Sequence, residues 1–117
     1  MYKMFNNHII EVNRGDTFTI DLQINLGSPV FPAFYSLEEG DNVYFGLMEP
    51  HQPFEVALVR KAFNQDNQDE DNVLHMDFKP TDTEFLLPGR YYYSVKLVKA
   101  NGDVFTVMPK TKFTIFD

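Results

Sequence analysis

The chain of 117 residues contains no cysteine and no tryptophan. Without cysteine there are no disulfides, thiolate nucleophiles, iron–sulfur clusters or cysteine-ligated zinc, so stability rests on packing. No apolar run approaches the roughly 20 residues that a membrane-spanning helix requires. The opening "MYKMFNNHII" lacks a continuous apolar stretch of leader length. That argues against secretion by a signal peptide, although a processed precursor could already have lost one. Positive charge is scarce: ten Lys and Arg face 17 Asp and Glu, for a net charge of −7. Phosphate backbones are repelled on average and no basic patch stands out along the sequence, so neither nucleic acid nor a membrane is an expected partner.

Aromatic residues, by contrast, are plentiful, with twelve Phe and six Tyr. Together with the β-branched residues they suit a pleated, half-buried surface better than a helix. In "TFTIDLQIN", Phe18, Ile20, Leu22 and Ile24 alternate with Thr17, Thr19, Asp21, Gln23 and Asn25, a period of two that a helix would scatter around its circumference. The same test marks "HIIEVN" (8–13), "NVYFGLME" (42–49), "FEVALVRKAF" (54–63), "VLHMDFK" (73–79), "RYYYSVKLVKA" (90–100) and "DVFTVMPKTKFTIF" (103–116), with Pro109 a candidate break in the last. Turn chemistry separates the runs at "EEGD", "EPHQP", "LLPGR" and "ANGD". Asn101-Gly102 is the strongest hairpin signal, because both residues tolerate positive φ. "INLGSPVFPAFYSL" is the least regular stretch, and Pro29 and Pro32 argue against a central strand there.

No segment of a dozen residues has a clean 3.6 period, and no linker divides the chain. About seven strands spaced some ten residues apart predict one all-β domain over 1–117, a two-sheet antiparallel sandwich, with a closed barrel as the competitor. "LLPGRYYYSVKL" adds a Pro-Gly turn ahead of a Tyr-led strand. Immunoglobulin-like sandwiches often place a Tyr at the start of their sixth strand to hydrogen-bond back across the corner. Tyr91 is the candidate for that role, and Tyr93 then stands where antibody domains carry a cysteine. The absence of Cys and Trp excludes an antibody-type domain but not the wider sandwich family.

The chemistry-bearing candidates are few. Arg14-Gly15-Asp16 reads either as an adhesion tripeptide or as a reversal joining two strands, and the reversal is the simpler account. The acidic loop "NQDNQDED" (64–71) invites a calcium reading, but an EF-hand loop starting at Asp66 needs Gly sixth and Glu twelfth, where Asp71 and Asp77 stand. It is better explained as a solvated tip. His8, His51 and His75 are the three imidazoles; His75 shares a strand face with Asp77, a geometry that could orient a general base. Ser28, Ser36 and Ser94 have no nearby base by spacing. There is no nucleophile elbow, Walker loop or HExxH helix. No catalytic, cofactor-binding or metal-binding residue is therefore assigned, and the chain is not expected to be an enzyme. Most rings should fill the core, with Tyr35, Tyr44 and Tyr92 expected at a wetter surface. Sugar-binding platforms favour Trp, which is missing.

With these runs in place, "RGDTFTIDLQI", "GDNVYFGLMEP…FEVALVRKAF" and "LLPGRYYYSVKLVKANGDVFTVMPKTKFTIF" together resemble small immunoglobulin-like domains of tailed-bacteriophage virion proteins, nearest to the N-terminal domain type of baseplate upper proteins. The likeness covers nearly the whole chain and consists of strand-and-turn grammar, so it transfers no site residues. Members of that family often continue into a longer fibre or baseplate polypeptide, whereas this sequence ends just after "FTIF"; the resemblance then implies a stand-alone or tail-truncated version. It also implies a structural role in a virion assembled in the host cytoplasm, without cofactors, docking other virion proteins and copies of itself through sheet faces, edges or loops. A receptor- or glycan-binding module using "EPHQP", "NQDNQDED" or the Arg14-Gly15-Asp16 turn is the alternative.

Overall fold

A computed structural model of the protein describes residues 3–4 and 8–117, the first two by their backbone. It is an all-β structure of two sheets. The strands are β1 (Lys3–Met4), β2 (Ile10–Asn13), β3 (Phe18–Gln23), β4 (Asn42–Met48), β5 (Val59–Phe63), β6 (Val73–Phe78), β7 (Gly89–Val98) and β8 (Val104–Phe116), with one helical turn, α1 (Pro80–Thr83). Each alternating run of the sequence holds one of β2 to β8. The larger sheet has the order β1-β2-β8-β7-β4-β5, and β3 pairs with β6 in the smaller one. Two separate sheets take the place of the closed barrel.

Alternation decides which side of each strand is buried. Val43, Phe45 and Leu47 of β4, and Tyr91, Tyr93, Val95 and Leu97 of β7, turn inward to meet Phe18, Ile20, Leu74, Met76 and Phe78 of the smaller sheet. Aromatic rings bridge the two sheets. Phe18 stacks on Phe78 with centroids 4.6 Å apart, Phe78 meets Phe45 edge-on at 4.8 Å, and Phe45 stacks on Tyr93 at 5.7 Å. Such pairs add about 0.5–1.5 kcal/mol each beyond their area burial. The buried Tyr93 also keeps its hydroxyl satisfied by donating to the His8 carbonyl at 2.6 Å.

Three expectations change. The sandwich is not wholly antiparallel, because β2 runs parallel to the end of β8, from Ile10↔Phe113 to Asn13↔Phe116. The chain leaves β2 for the other sheet through a turn at residues 14–16, so no hairpin forces β2 to oppose its neighbour. Pro109 does not break the last run. The ladder slips there, passing from Val95↔Met108 to Tyr93↔Thr111, so the missing proline N–H costs no cross-strand bond. Finally, only the second half of "FEVALVRKAF" is strand. Phe54–Val56 form a 3₁₀ turn after Pro53, closing the reversal from β4 into β5.

The exposed edge of the larger sheet is blunted. Lys61 of β5 faces inward opposite Phe45 in register, with its Nζ 4.9 Å over the Phe78 ring and 2.7 Å from Asp82. An inward charge on an edge strand opposes pairing with a foreign strand, since docking would bury it.

Candidate functional site

The strand directions bring three connections to one end of the molecule: 24–41 after β3, 64–72 after β5, and 99–103 between β7 and β8. Side chains tie them together. The Gln68 amide accepts from Leu37 N–H at 2.7 Å and donates to the carbonyls of Tyr35 and Asn72. The Asp41 carboxylate accepts from the Tyr35 hydroxyl, from Glu38 N–H and from Ala100 N–H. Lys99 caps the Tyr35 ring, its Nζ 5.1 Å from the centroid. The hairpin read at Asn101-Gly102 is present, closed by Lys99 N–H donating to Asp103 O.

From this base the 24–34 segment projects as an ordered finger. Asn25 bridges to Phe34, Leu26 N–H donates to Ala33 O, and Ser28 N–H donates to Phe31 O. Asn25 Oδ1 accepts from the amides of Gly27 and Ala33, and Ser28 Oγ accepts from Phe31 N–H. Gly27 is required, because a Cβ there would lie 2.4 Å from the Phe31 carbonyl oxygen. This scaffold holds two large apolar side chains in water: Val30 is 77% and Phe31 80% exposed, with Phe34 half-exposed beneath them. Single exposed apolar residues are ordinary, but here a hydrogen-bonded loop presents them side by side in a contiguous "PVFP" tip, which makes it the candidate contact site. The sequence signal was the placement of Val30-Phe31 between two prolines, which irregularity alone had obscured.

The residues singled out in the sequence lie elsewhere. Arg14-Gly15-Asp16 is a strand-to-strand turn with Gly15 at φ +79°, and Arg14 pairs with Asp117 while its amide donates to Phe116 O. In the acidic loop, Asp69 Oδ1 is taken by the amides of Asp71 and Val73. His75 does not use Asp77, which accepts from the Thr19 hydroxyl. Its Nδ1 instead lies 2.7 Å from Asp21, its cross-strand neighbour, and its Nε2 lies 2.9 Å from Asp69. Both ring nitrogens are thus engaged by carboxylates. His51 is exposed beside the Glu49–Gln52 turn, and His8 lends its carbonyl to Tyr93. Ser94 is buried and donates to Met108 O; Ser28 serves the finger and Ser36 is exposed. Tyr35, Tyr44 and Tyr92 are half-buried, while Tyr91 donates to Leu87 O at 2.6 Å across the corner before β7.

The hydrogen bonds to Asp69 and then Asp21 raise the His75 pKa, and Asp69 is lowered, first by the Val73 amide and then by His75. A histidine whose folded pKa is raised contributes stability that is fully present below its unfolded pKa near 6.5 and lost as pH rises through the folded value. An NMR titration of the imidazole protons should place the His75 midpoint above 6.5, and D69N should move it down.

Compared with protein-family models and with curated protein sequences, the chain matches none.

Proposed function

We propose that the chain is an immunoglobulin-like, non-enzymatic assembly module of a tailed-bacteriophage particle, acting through protein–protein contacts. The strand order supports the fold reading. If β3 and β6 are strands B and E, then β8-β7-β4-β5 reads G-F-C-C′, the order of a variable-type sandwich. Tyr91 then makes the corner hydrogen bond, and the buried Tyr93–Phe45 stack occupies the place of the antibody cysteine and tryptophan.

The observation that carries the function is the finger. An apolar tip held rigidly in water is preorganised for a pocket on another protein, since little ordering remains to be done on binding. Burial of Val30 and Phe31 is worth about 1.5–3 kcal/mol each, so V30A/F31A should weaken binding roughly a hundredfold or more while leaving the melting temperature unchanged. Size-exclusion with light scattering, using the products of neighbouring genes, checks this. Failure to bind any particle protein sinks the proposal. Glycan-array binding that vanishes with the same double substitution would move the chain to the receptor-binding class instead.

A further inference from the structure

The cations of this acidic chain are not evenly spread. Residues opposite one another in a ladder share a face. The register of the larger sheet therefore places Lys96 beside Tyr44 and Thr106, Lys112 beside Tyr92, Arg60 beside Gly46 and Arg90 beside Thr114, all on the side away from the core. Phe54 lies over Gly46 on this same side, filling the space a Cβ would need, with Lys96 Nζ 4.9 Å and Arg60 Cζ 5.9 Å from its ring centroid. Lys110 reaches the Gln52 carbonyl beside it. Five of the ten Lys and Arg thus stand on one face. Among the described residues none of the five forms an ion pair, whereas Arg14 and Lys61 both do. The acidic residues on these segments are Glu11, Glu49 and Glu55, fewer than the cations.

The outer side of the smaller sheet has the opposite character. Asp21 and Asp77 sit there with Thr19, Gln23 and His75, and the 64–72 loop adds Asp69 against His75 and Asp71 beside Gln23. Among the described residues three cationic groups lie near this side: the imidazole already held by two carboxylates, Lys61, whose Nζ donates to the Asp77 carbonyl and pairs with Asp82, and the exposed Lys79, which continues the alternation of His75 and Asp77. The molecule is therefore electrically two-sided, with an acidic sheet face behind a basic, aromatic one.

We infer that copies of this chain associate face to back, the Asp21/Asp77 face of one against the Arg60/Lys96/Lys112 face of the next. The inference rests on the assembly reading and names the surface used between copies, distinct from the finger. The two six-residue strands of the smaller sheet span only about 20 × 10 Å, so the neighbouring 64–72 loop has to join them in the contact. Two different faces meeting make a heterologous contact, which closes into a ring or continues as a filament instead of stopping at a twofold dimer. Tyr44, Tyr92 and Phe54 supply the aromatic centre that charge pairs alone would lack.

The test is a charge exchange read by sedimentation velocity. The unmodified chain should form species larger than a dimer at about 50 mM salt and dissociate near 0.5 M, where screening shortens to a few ångströms. D21K/D77K has two basic faces and R60E/K96E two acidic ones. Each alone should associate about tenfold more weakly or worse, and mixing the two should restore assembly, which also shows that both remain folded. K112E/R90E serves as a second basic-face variant should R60E/K96E disturb the Phe54 stack. A chain that stays monomeric at low salt, or whose association ignores all these changes, overturns the face-to-back contact. If that same chain still binds a particle protein through Phe31, only this inference falls; if it binds none, the assembly reading falls with it.

Discussion

Replacing Phe45 by alanine is expected to remove about 3–5 kcal/mol of folding stability, a large part of what a domain of this size possesses. Phe45 is 1% exposed and stands where the sheets meet: its ring contacts Phe78 at 4.8 Å, Tyr93 at 5.7 Å and Phe113 at 6.3 Å. The loss combines the transfer of the ring from the core with a cavity that two rigid sheets cannot collapse to fill. Phe45→Leu keeps most of the volume and should cost less than half as much. Urea unfolding followed by far-ultraviolet circular dichroism measures both. An alanine variant within 1 kcal/mol of the parent would mean that the inter-sheet ring cluster is not what holds the sheets together.

The second large effect is expected at Asp41. This carboxylate is 2% exposed and receives three hydrogen bonds, from Tyr35 Oη–H, Glu38 N–H at 3.0 Å and Ala100 N–H at 2.8 Å. Asp41→Ala strands three donors, at a cost of roughly 3 kcal/mol or more, and frees the base of the finger from the β7–β8 turn. Burial pushes this carboxyl up, but the Tyr35 hydroxyl, the Glu38 and Ala100 amides and Lys99 together outweigh it and hold the pKa below the usual range. A depressed folded pKa gives stability that is present above the unfolded value near 4 and lost as pH falls through the folded one. The stability gap between the parent and D41N should therefore be widest near neutrality and narrow in acid. Thermal melts of both proteins from pH 7 down to about pH 2 test the sign. A gap that widens on acidification would contradict the assigned charge state.

Local pattern revealed most of the strands because burial on one side of a sheet writes itself into alternate residues, as at Phe18, Ile20 and Ile24. What it could not carry were relations between residues distant in the chain. His75 looked to Asp77 because two residues on one strand share a face, yet its partners come from another strand and a loop, 54 and 6 residues away. Asp41 in "EEGD" had every mark of a solvated turn, and only the arrival of Ala100 from 59 residues on makes it a buried anchor. The basic face was illegible for the same reason: Arg60, Arg90, Lys96 and Lys112 are dispersed in sequence and gathered by strand order. The finger was hidden by its irregularity, since its hydrogen bonds run through Asn25 and Ser28 side chains instead of a ladder.

The parallel pairing of Ile10 with Phe113 has a consequence for biosynthesis. At a translation speed of about 5–20 residues per second, the first of these residues is incorporated roughly 5–20 s before the second exists. Throughout that wait Ile10 and Val12, wholly buried in the finished molecule, lack the strand that pairs with them on the side of β8. A nascent polypeptide halted short of Phe113 would thus keep its amino-terminal apolar residues uncovered, in the form that chaperones retain.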